Sequence, residues 1–299
     1  MTVPQPRLQL YGVALVGAGA LLFAAKGIFA KILYARGVTV EQLVTLRAVL
    51  ALPFFWGWGW LVHKGRLLDL PLRPALGAAF AGALCYYAGA LLDFHALTLI
   101  DASLERAVLF SYPALVVVAV AVRDRKAPSA RTIAGTVLTY AGIVFAVTGL
   151  DAGILRQNAF GAALVLLCAG TFATYFLLSE RYMGAIGSVR FTVVAMTTAA
   201  VMLVAHFLLT HSDRPLTLPR DSGGLMAGLV LFSTVMSAFL VGEGIRRIGA
   251  SRAAVISTIG PPATILYAAV LLGERLTLLQ LGGIAVIIAG ILTVELRRR

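Results

Sequence analysis

Several ionisable side chains lie inside long apolar runs of this sequence. Lys26 is a cation that can hold a carboxylate, whereas Asp93 and Glu243 are acids that can hold an ammonium group or exchange a proton. Charged groups in an apolar span are costly and usually face a cavity or a partner. These three residues therefore predict a site for a small zwitterion, with Asp93 and Glu243 as the candidates for proton coupling.

Aromatic and hydroxyl side chains accompany these charges at helical spacing. Tyr86 shares one helix face with Asp93, and Tyr87 shares the next face with Phe94. Aromatic surface with a few polar groups is typical of a small-molecule pocket. The residues predicted to line a substrate-binding cavity are Lys26, Tyr86, Tyr87, Asp93, His95, Tyr112, Tyr175 and Ser257.

Each charged candidate also has a purely structural interpretation, and the sequence leaves both open. Lys26 can neutralise Asp93, and Glu243 can neutralise Arg246 or Arg247 one turn along its helix. Packing is the commoner role for tyrosines in apolar spans. Structural pairing near the outer surface is the favoured interpretation for Arg47, Glu105 and Arg106.

Prolines predict interruptions in two of the helices. Pro113 lies inside one apolar run, and Gly260, Pro261 and Pro262 lie inside another. A proline within a helix removes one backbone hydrogen bond and frees a carbonyl. These four residues are therefore candidates for a hinge or gate, and a static kink is equally consistent with them.

The elements that position these residues must be membrane-spanning helices. Of the 299 residues, 60% are hydrophobic and 13% are charged, against about 45–50% and 25% in soluble domains. The mean hydropathy of +0.93 excludes soluble enzymes and nucleic-acid binders. Lipid excludes open strand edges, so we predict an all-α membrane protein with ten transmembrane helices. The ten segments are 9–34, 39–62, 74–99, 102–122, 131–149, 158–179, 188–210, 223–246, 250–272 and 276–296.

The net charge of +12 is explained by the orientation of these helices in the membrane. With the N-terminus in the cytoplasm, sixteen of the 25 Lys and Arg residues fall on the inner side and six on the other. This bias predicts an inner (plasma) membrane protein with both termini cytoplasmic. The scattered histidines and the cysteines Cys85 and Cys168 predict no metal site and no cofactor.

The two halves of the sequence resemble each other at an offset of 148 residues. At this offset Pro113 falls on Pro261 and His95 falls on Glu243. Five spans per half require the second copy to be inverted, which predicts two repeats, 9–149 and 158–296. Besides the proline pair, the identical pairs begin with Ile100 and Ile248, Ala102 and Ala250, Ser103 and Ser251, and end with Ile143 and Ile291. Inverted repeats are typical of transporters with a site near the membrane midplane.

Three features of the sequence resemble the EamA family of the drug/metabolite transporter superfamily. They are the stretch from Leu99 to Arg106 leading to Pro113, the similar stretch from Ile248 to Ser251 leading to Pro261, and the 5+5 arrangement. The resemblance covers residues 9–296, and YddG-like amino-acid exporters are the nearest functional picture. It implies a ten-helix basket with a central cavity lined chiefly by spans one, three, four, six, eight and nine.

The expected function is a secondary transporter that exports small metabolites, with amino acids as the favoured substrates, by alternating access. Export of drug-like organic cations is the main alternative. An integral membrane enzyme is a further alternative, but the four histidines lie on different segments and form no catalytic motif. No phosphate-binding loop of the ATPase type is present. The expected partners are a small-molecule substrate and the lipid bilayer, without nucleic acid, and a monomer is consistent with the sequence.

Overall fold

The computed structural model describes residues 6–100, 102–148, 159–211, 216–272 and 278–295. These residues form helices and connecting turns, and none of them is in a strand. In the first half the helices are α1 Pro6–Ala24, α2 Lys26–Ala35, α3 Val40–His63, α4 Leu72–Ala81, α5 Ala90–Leu99, α6 Ala102–Leu109, α7 Tyr112–Asp124 and α8 Ala130–Thr148. In the second half they are α9 Ala159–Ile186, α10 Ser188–Thr210, α11 Gly223–Val230, α12 Ser237–Ile248, α13 Ala250–Ile256, α14 Gly260–Leu272 and α15 Leu278–Glu295.

Helical residues occupy all ten of the segments that hydropathy predicts as spans. Within the described ranges, seven helices are long and apolar enough to cross a membrane. The segments that do not reach this standard are α6 with α7, α8, and α15. The first of these is interrupted between Leu109 and Tyr112, so neither piece is long enough alone. The predicted ends at residues 149, 158 and 296 lie outside the described residues, as does Asp101.

Local sequence signals explain where several helices begin. Thr39 forms a capping box with Gln42, in which each side chain accepts a hydrogen bond from the other residue's backbone N–H. Gly187 and Gly249 have positive φ values of 81° and separate consecutive helices by a single residue. A side chain is disfavoured in this conformation, so glycine permits these abrupt reversals.

Irregular helical segments recur at the 148-residue offset. A π-helical segment, Gly82–Gly89, joins α4 to α5, and a second one, Leu231–Met236, joins α11 to α12. The interruption before α7 at Tyr112 has its counterpart in the 3₁₀ turn Ser257–Ile259 before α14. π-Helical turns are commonly found at functional sites. All four irregular places contribute residues to the centre of the protein.

Small residues bring several pairs of helices into close contact. A Cβ added to Gly82 would lie 2.0 Å from the backbone oxygen of Ala195, so the π-helical segment touches α10 directly. In the pair α8 and α15, a Cβ on Gly142 would lie 2.7 Å from the nitrogen of Ile287. A Cβ on Gly290 would lie 2.8 Å from the oxygen of Gly135. Close backbone approach through small residues is the usual packing of membrane helices.

Candidate functional site

A central cavity of about 60 Å³ lies between the two halves of the chain. One water occupies about 10–15 Å³ on this scale, so the cavity holds a few waters in this conformation. It is lined by Ala20, Phe23, Arg47, Cys85, Tyr86, Phe110, Tyr112, Phe172, Tyr175, Phe176, Ser233, Thr234, Ser237, Ala238, Val241 and Ser257. Spans one, three, four, six, eight and nine all contribute, and Arg47 adds span two.

Aromatic rings form most of one wall of the cavity. The rings of Tyr86 and Tyr175 meet edge to face with centroids 5.0 Å apart. Tyr112 packs against Phe176 at 5.2 Å and Phe172 at 5.8 Å. The hydroxyl of Tyr175 is buried without a hydrogen-bond partner among the described residues. The wall therefore combines a surface for an apolar body with at least one unused polar group.

Arg47 is the cation that faces this cavity. Its side chain is 5% exposed, and one guanidinium nitrogen donates to the hydroxyl of Thr234 at 3.4 Å. Its guanidinium carbon lies 5.2 Å from the ring centroid of Phe94, a distance suited to a cation–π contact. No described carboxylate lies within ion-pair distance of Arg47, and its Nε has no hydrogen-bond partner there.

Beside the cavity lies a buried charge cluster composed of Lys26, Asp93, Glu105 and Arg106. The ammonium group of Lys26 forms an ion pair with Asp93 and lies 3.9 Å from Glu105. Nε of Arg106 lies 3.3 Å from the other oxygen of Glu105. All four side chains are at most 3% exposed. Two cations and two acids balance within this cluster, and no carboxylate of the described residues forms an ion pair with Arg47.

The predicted site residues separate into three groups in the structure. Tyr86, Tyr112, Tyr175 and Ser257 line the central cavity. Lys26 and Asp93 lie beside it in the charge cluster, which is the structural pairing that the sequence left open.

The remaining predicted residues lie away from the cavity. The hydroxyl of Tyr87 is 3.2 Å from Nδ1 of His206, and Tyr87 does not line the cavity. His95 is exposed and borders a shallow lateral groove. Glu243 accepts hydrogen bonds from Ser188 at 2.5 Å, Arg246 at 2.8 Å and Arg247 at 2.6 Å.

The two interrupted helices meet at the cavity. A Cβ added to Gly260 would lie 2.5 Å from the ring of Phe110, so the interruptions before α7 and α14 touch. Pro113 occupies the first turn of α7, where proline needs no backbone donor. Pro261 and Pro262 follow the 3₁₀ turn Ser257–Ile259 inside a helical run that continues over Ala250–Leu271. Pro113 therefore begins a new helix, whereas Pro261 and Pro262 lie in a continuous one.

The hydroxyl of Tyr140 bridges the interruption between α6 and α7. It donates to the carbonyl oxygen of Phe110 at 2.5 Å and accepts from the backbone N–H of Ala114 at 3.2 Å. Helix ends within a membrane need such partners because water is absent. Tyr140 thus holds Phe110 and Tyr112 at the cavity wall.

Tyr140→Phe is expected to lower the free energy of unfolding by about 1–3 kcal/mol, because two part-buried backbone groups lose their partner. The matched control is Tyr267→Phe, which removes one hydrogen bond to the carbonyl oxygen of Leu21 at an exposed position. Unfolding in mixed micelles at increasing denaturant measures both variants. Equal effects of the two substitutions would contradict the bridging role of Tyr140.

Sequence reasoning missed Arg47 and Thr234 as cavity residues. The signal for Arg47 is present, since it is a charge inside a span, but its position near the predicted outer end of that span favours structural pairing there. Thr234 is 187 residues away from Arg47, and no local pattern links the two. Phe23, Phe172 and Phe176 also line the cavity, and phenylalanine in an apolar helix carries no distinguishing signal.

Comparison with known proteins agrees with this architecture. The sequence pattern of the EamA-like transporter family matches residues 10–148 and 159–296. A Bacillus subtilis (strain 168) protein named uncharacterized transporter YcbK is 34% identical over 280 residues, covering 91% of this chain and 89% of that protein. One crystal structure shares the fold with a TM-score of 0.79 at 17% identity, over 96% of this chain and 99% of that chain. Because the family pattern matches both halves, this multi-pass membrane protein belongs to the EamA-like transporter family.

Proposed function

We propose that this protein is a secondary transporter that exports small metabolites bearing a carboxylate and an apolar body, with amino acids as the favoured class. The observation that carries the proposal is the buried cation Arg47 at the wall of an aromatic cavity, where no carboxylate of the described ranges lies within ion-pair distance of it. A buried cation without an acid is costly. A substrate carboxylate supplies the missing charge, and guanidinium binds carboxylates in a bidentate geometry.

The remaining cavity groups suit the rest of such a substrate. Tyr86, Tyr112 and Tyr175 offer ring surface to an apolar side chain and hydroxyl oxygens to an ammonium group. Ser257 donates its own proton to the carbonyl oxygen of Ala253 at 2.9 Å, which leaves its oxygen as an acceptor towards the cavity. An organic cation would meet Arg47 as a like charge, so this geometry favours carboxylate substrates over cations.

Transport is proposed to follow alternating access by two inverted repeats of five spans each, 9–149 and 158–296. The recurrence of the π-helical segments and of the helix interruptions at the 148-residue offset supports this arrangement. Gly260 packs against the ring of Phe110 where the two proposed repeats meet. The helices that carry Pro113, Pro261 and Pro262 are therefore the ones proposed to move against each other.

The proposed membrane is the inner (plasma) membrane with both termini cytoplasmic, as the Lys and Arg census favours. We further propose that Asp93 with its neighbour Glu105 carries any coupled proton. Lys26 lies within ion-pair distance of both carboxylates. When one carboxylate takes up a proton, Lys26 can remain paired with the other. Glu243, the second sequence candidate, is held by two arginines at the end of α12 and is the less suited of the two.

Proteoliposomes test this function directly. The purified chain is reconstituted, and uptake of labelled amino acids and of labelled organic cations is measured with and without a pH gradient. We expect amino-acid movement that unlabelled carboxylates inhibit. Movement of a cation without any amino acid would overturn the substrate proposal.

The proton proposal is tested by comparing the pH dependence of transport in three variants. Asp93→Asn and Glu105→Gln are expected to lose the dependence on the pH gradient, whereas Glu243→Gln is expected to keep it. An unchanged pH dependence in both of the first two variants would refute coupling through this pair.

A further inference from the structure

A line of buried hydroxyl groups leads away from the aromatic wall of the central cavity. It starts at Tyr175, which lines the cavity, and continues with Ser179 one turn further along α9. Thr192 of α10 joins them, since its hydroxyl and that of Ser179 both neighbour the Tyr175 hydroxyl. The three side chains are at most 3% exposed. We call these three residues the hydroxyl path.

The hydroxyls of this path have no hydrogen-bond partner among the residues that the structure describes. Other hydroxyls on the same two helices donate to a carbonyl of their own helix. On α9, Thr174 donates to the carbonyl oxygen of Gly170 at 2.9 Å. On α10, Thr197 donates to the carbonyl oxygen of Val193 at 2.7 Å. The hydroxyl path does not use such local acceptors. A buried hydroxyl without a partner costs free energy, so this path stabilises any water or polar group that reaches it.

Two residues close the hydroxyl path on the side away from the cavity. Met183 lies one turn beyond Ser179 on α9 and is fully buried. A Cβ added to Gly242 of α12 would lie 3.2 Å from Cε of Met183 and 3.3 Å from Oγ1 of Thr192. The path therefore ends against a thioether, and methionine is a flexible, adaptable side chain. This closure needs only a modest separation of α12 from α9 and α10 to open.

Beyond Met183, polar groups continue to the ends of the helices. Ser188 lies one turn before Thr192, at the start of α10, and donates to Oε2 of Glu243 at 2.5 Å. Glu243 also accepts from Arg246 at 2.8 Å and from Arg247 at 2.6 Å, both on its own helix α12. Its side chain is 23% exposed, so this network reaches the surface. The network fastens α12 to the start of α10, and we call it the Glu243 latch.

The Glu243 latch lies at the end of the protein that is predicted to be cytoplasmic. Arg246 and Arg247 belong to the sixteen cations that the Lys and Arg census assigns to the inner side. One line of polar groups thus connects the central cavity with this end, between α9, α10 and α12. Simple packing would satisfy each hydroxyl within its own helix, and it does not explain this line.

We propose that the hydroxyl path is the route between the central cavity and the predicted cytoplasmic face, and that the Glu243 latch holds this route shut. The route rests on the proposed function, because the substrate of that transporter is what passes along it. Release of Ser188 by Glu243 frees the start of α10 to separate from α12. Met183 then moves off Gly242, and polar groups of the substrate exchange water for the hydroxyls of the path.

Cysteine labelling of the full chain in membrane vesicles tests the route. In a background where Cys85 and Cys168 are replaced by Ala, Ser179→Cys or Thr192→Cys is introduced singly. A membrane-impermeant methanethiosulfonate reagent is applied to inside-out and to right-side-out vesicles, and mass spectrometry gives the labelled fraction over time. We expect both cysteines to be labelled from the cytoplasmic side.

The matched control for the route is Thr139→Cys. Thr139 of α8 is 1% exposed and packs against Gly290 of α15, and its hydroxyl donates to the carbonyl oxygen of Gly135 at 2.8 Å. We expect it to be labelled about 10-fold or more slowly than the path cysteines, because a sealed position reacts only through local unfolding. Equal rates, or labelling of the path cysteines from the opposite side alone, would overturn the route.

The latch is tested by adding Glu243→Gln or Ser188→Ala to the chain with Thr192→Cys. We expect either change to speed labelling from the cytoplasmic side about 10-fold, since each removes a charge-assisted hydrogen bond between α10 and α12. Asp69→Asn is the charge-matched control, because Asp69 is an exposed acid on the same predicted face. Unchanged rates in both latch variants, or an equal rise with Asp69→Asn, would overturn the latch.

Labelling needs no substrate, so its outcome is separate from that of the transport assay. If amino acids move but the path cysteines stay unlabelled, the route is wrong and the proposed function stands. If the cysteines are labelled as expected but no amino acid moves, the proposed substrate is wrong and the route stands.

Discussion

Asp93→Asn is expected to lower the free energy of unfolding by about 3–5 kcal/mol, because it leaves the buried ammonium group of Lys26 without its ion-pair partner. Both side chains are at most 3% exposed, so water cannot replace the lost carboxylate. Glu105, at 3.9 Å from Lys26, already faces Arg106 and offers limited compensation. Denaturant titration in mixed micelles measures the change.

The double variant Lys26→Met with Asp93→Leu separates the contribution of the ion pair to stability from the contributions of its two members. Removing both charges together leaves no orphaned ion, so its loss of stability is expected to be much smaller than the sum of the two single losses. Glu41→Gln is the surface control, because its carboxylate is 25% exposed and lies 4.0 Å from His211. Additive single and double effects would show that Lys26 and Asp93 do not act as a pair.

Arg47→Gln is expected to reduce amino-acid transport about 100-fold in kcat/KM, since a buried substrate carboxylate would lose its charged partner. The same change is expected to leave stability nearly unaltered, because no described acid is orphaned by it. Arg47→Lys keeps the charge without the planar fork and is expected to restore a part of the rate. Uptake into proteoliposomes and unfolding in micelles give the two readouts.

Thr234→Val provides the matched control for Arg47. It removes the hydroxyl that accepts from the guanidinium group at 3.4 Å but keeps the side-chain shape and the charge. A reduction of a few-fold is expected, well short of the effect at Arg47. If Arg47→Gln transports amino acids at the original rate, Arg47 does not bind the substrate carboxylate. If it loses as much stability as Asp93→Asn, its role is structural.

The class of the protein and the positions of its helices follow from the sequence alone. Hydropathy is a local property, so a run of about 20 apolar residues locates a spanning helix wherever its partners lie. The offset of 148 residues, at which Pro113 falls on Pro261, is also found by comparing the sequence with itself. In the structure the two π-helical segments are separated by about this offset, although no residue type in the sequence predicts them.

The assignment of charges to roles was decided only by the tertiary structure. These helices are apolar on nearly all sides, so the sequence does not reveal which face of each one is turned to the centre. Lys26 and Asp93 meet across 67 residues of chain and neutralise each other, which leaves Arg47 to face the cavity. Glu243 instead binds arginines on its own helix. The sequence thus determines that a few charges enter the membrane, whereas helix rotation and packing decide which are paired and which can meet a substrate.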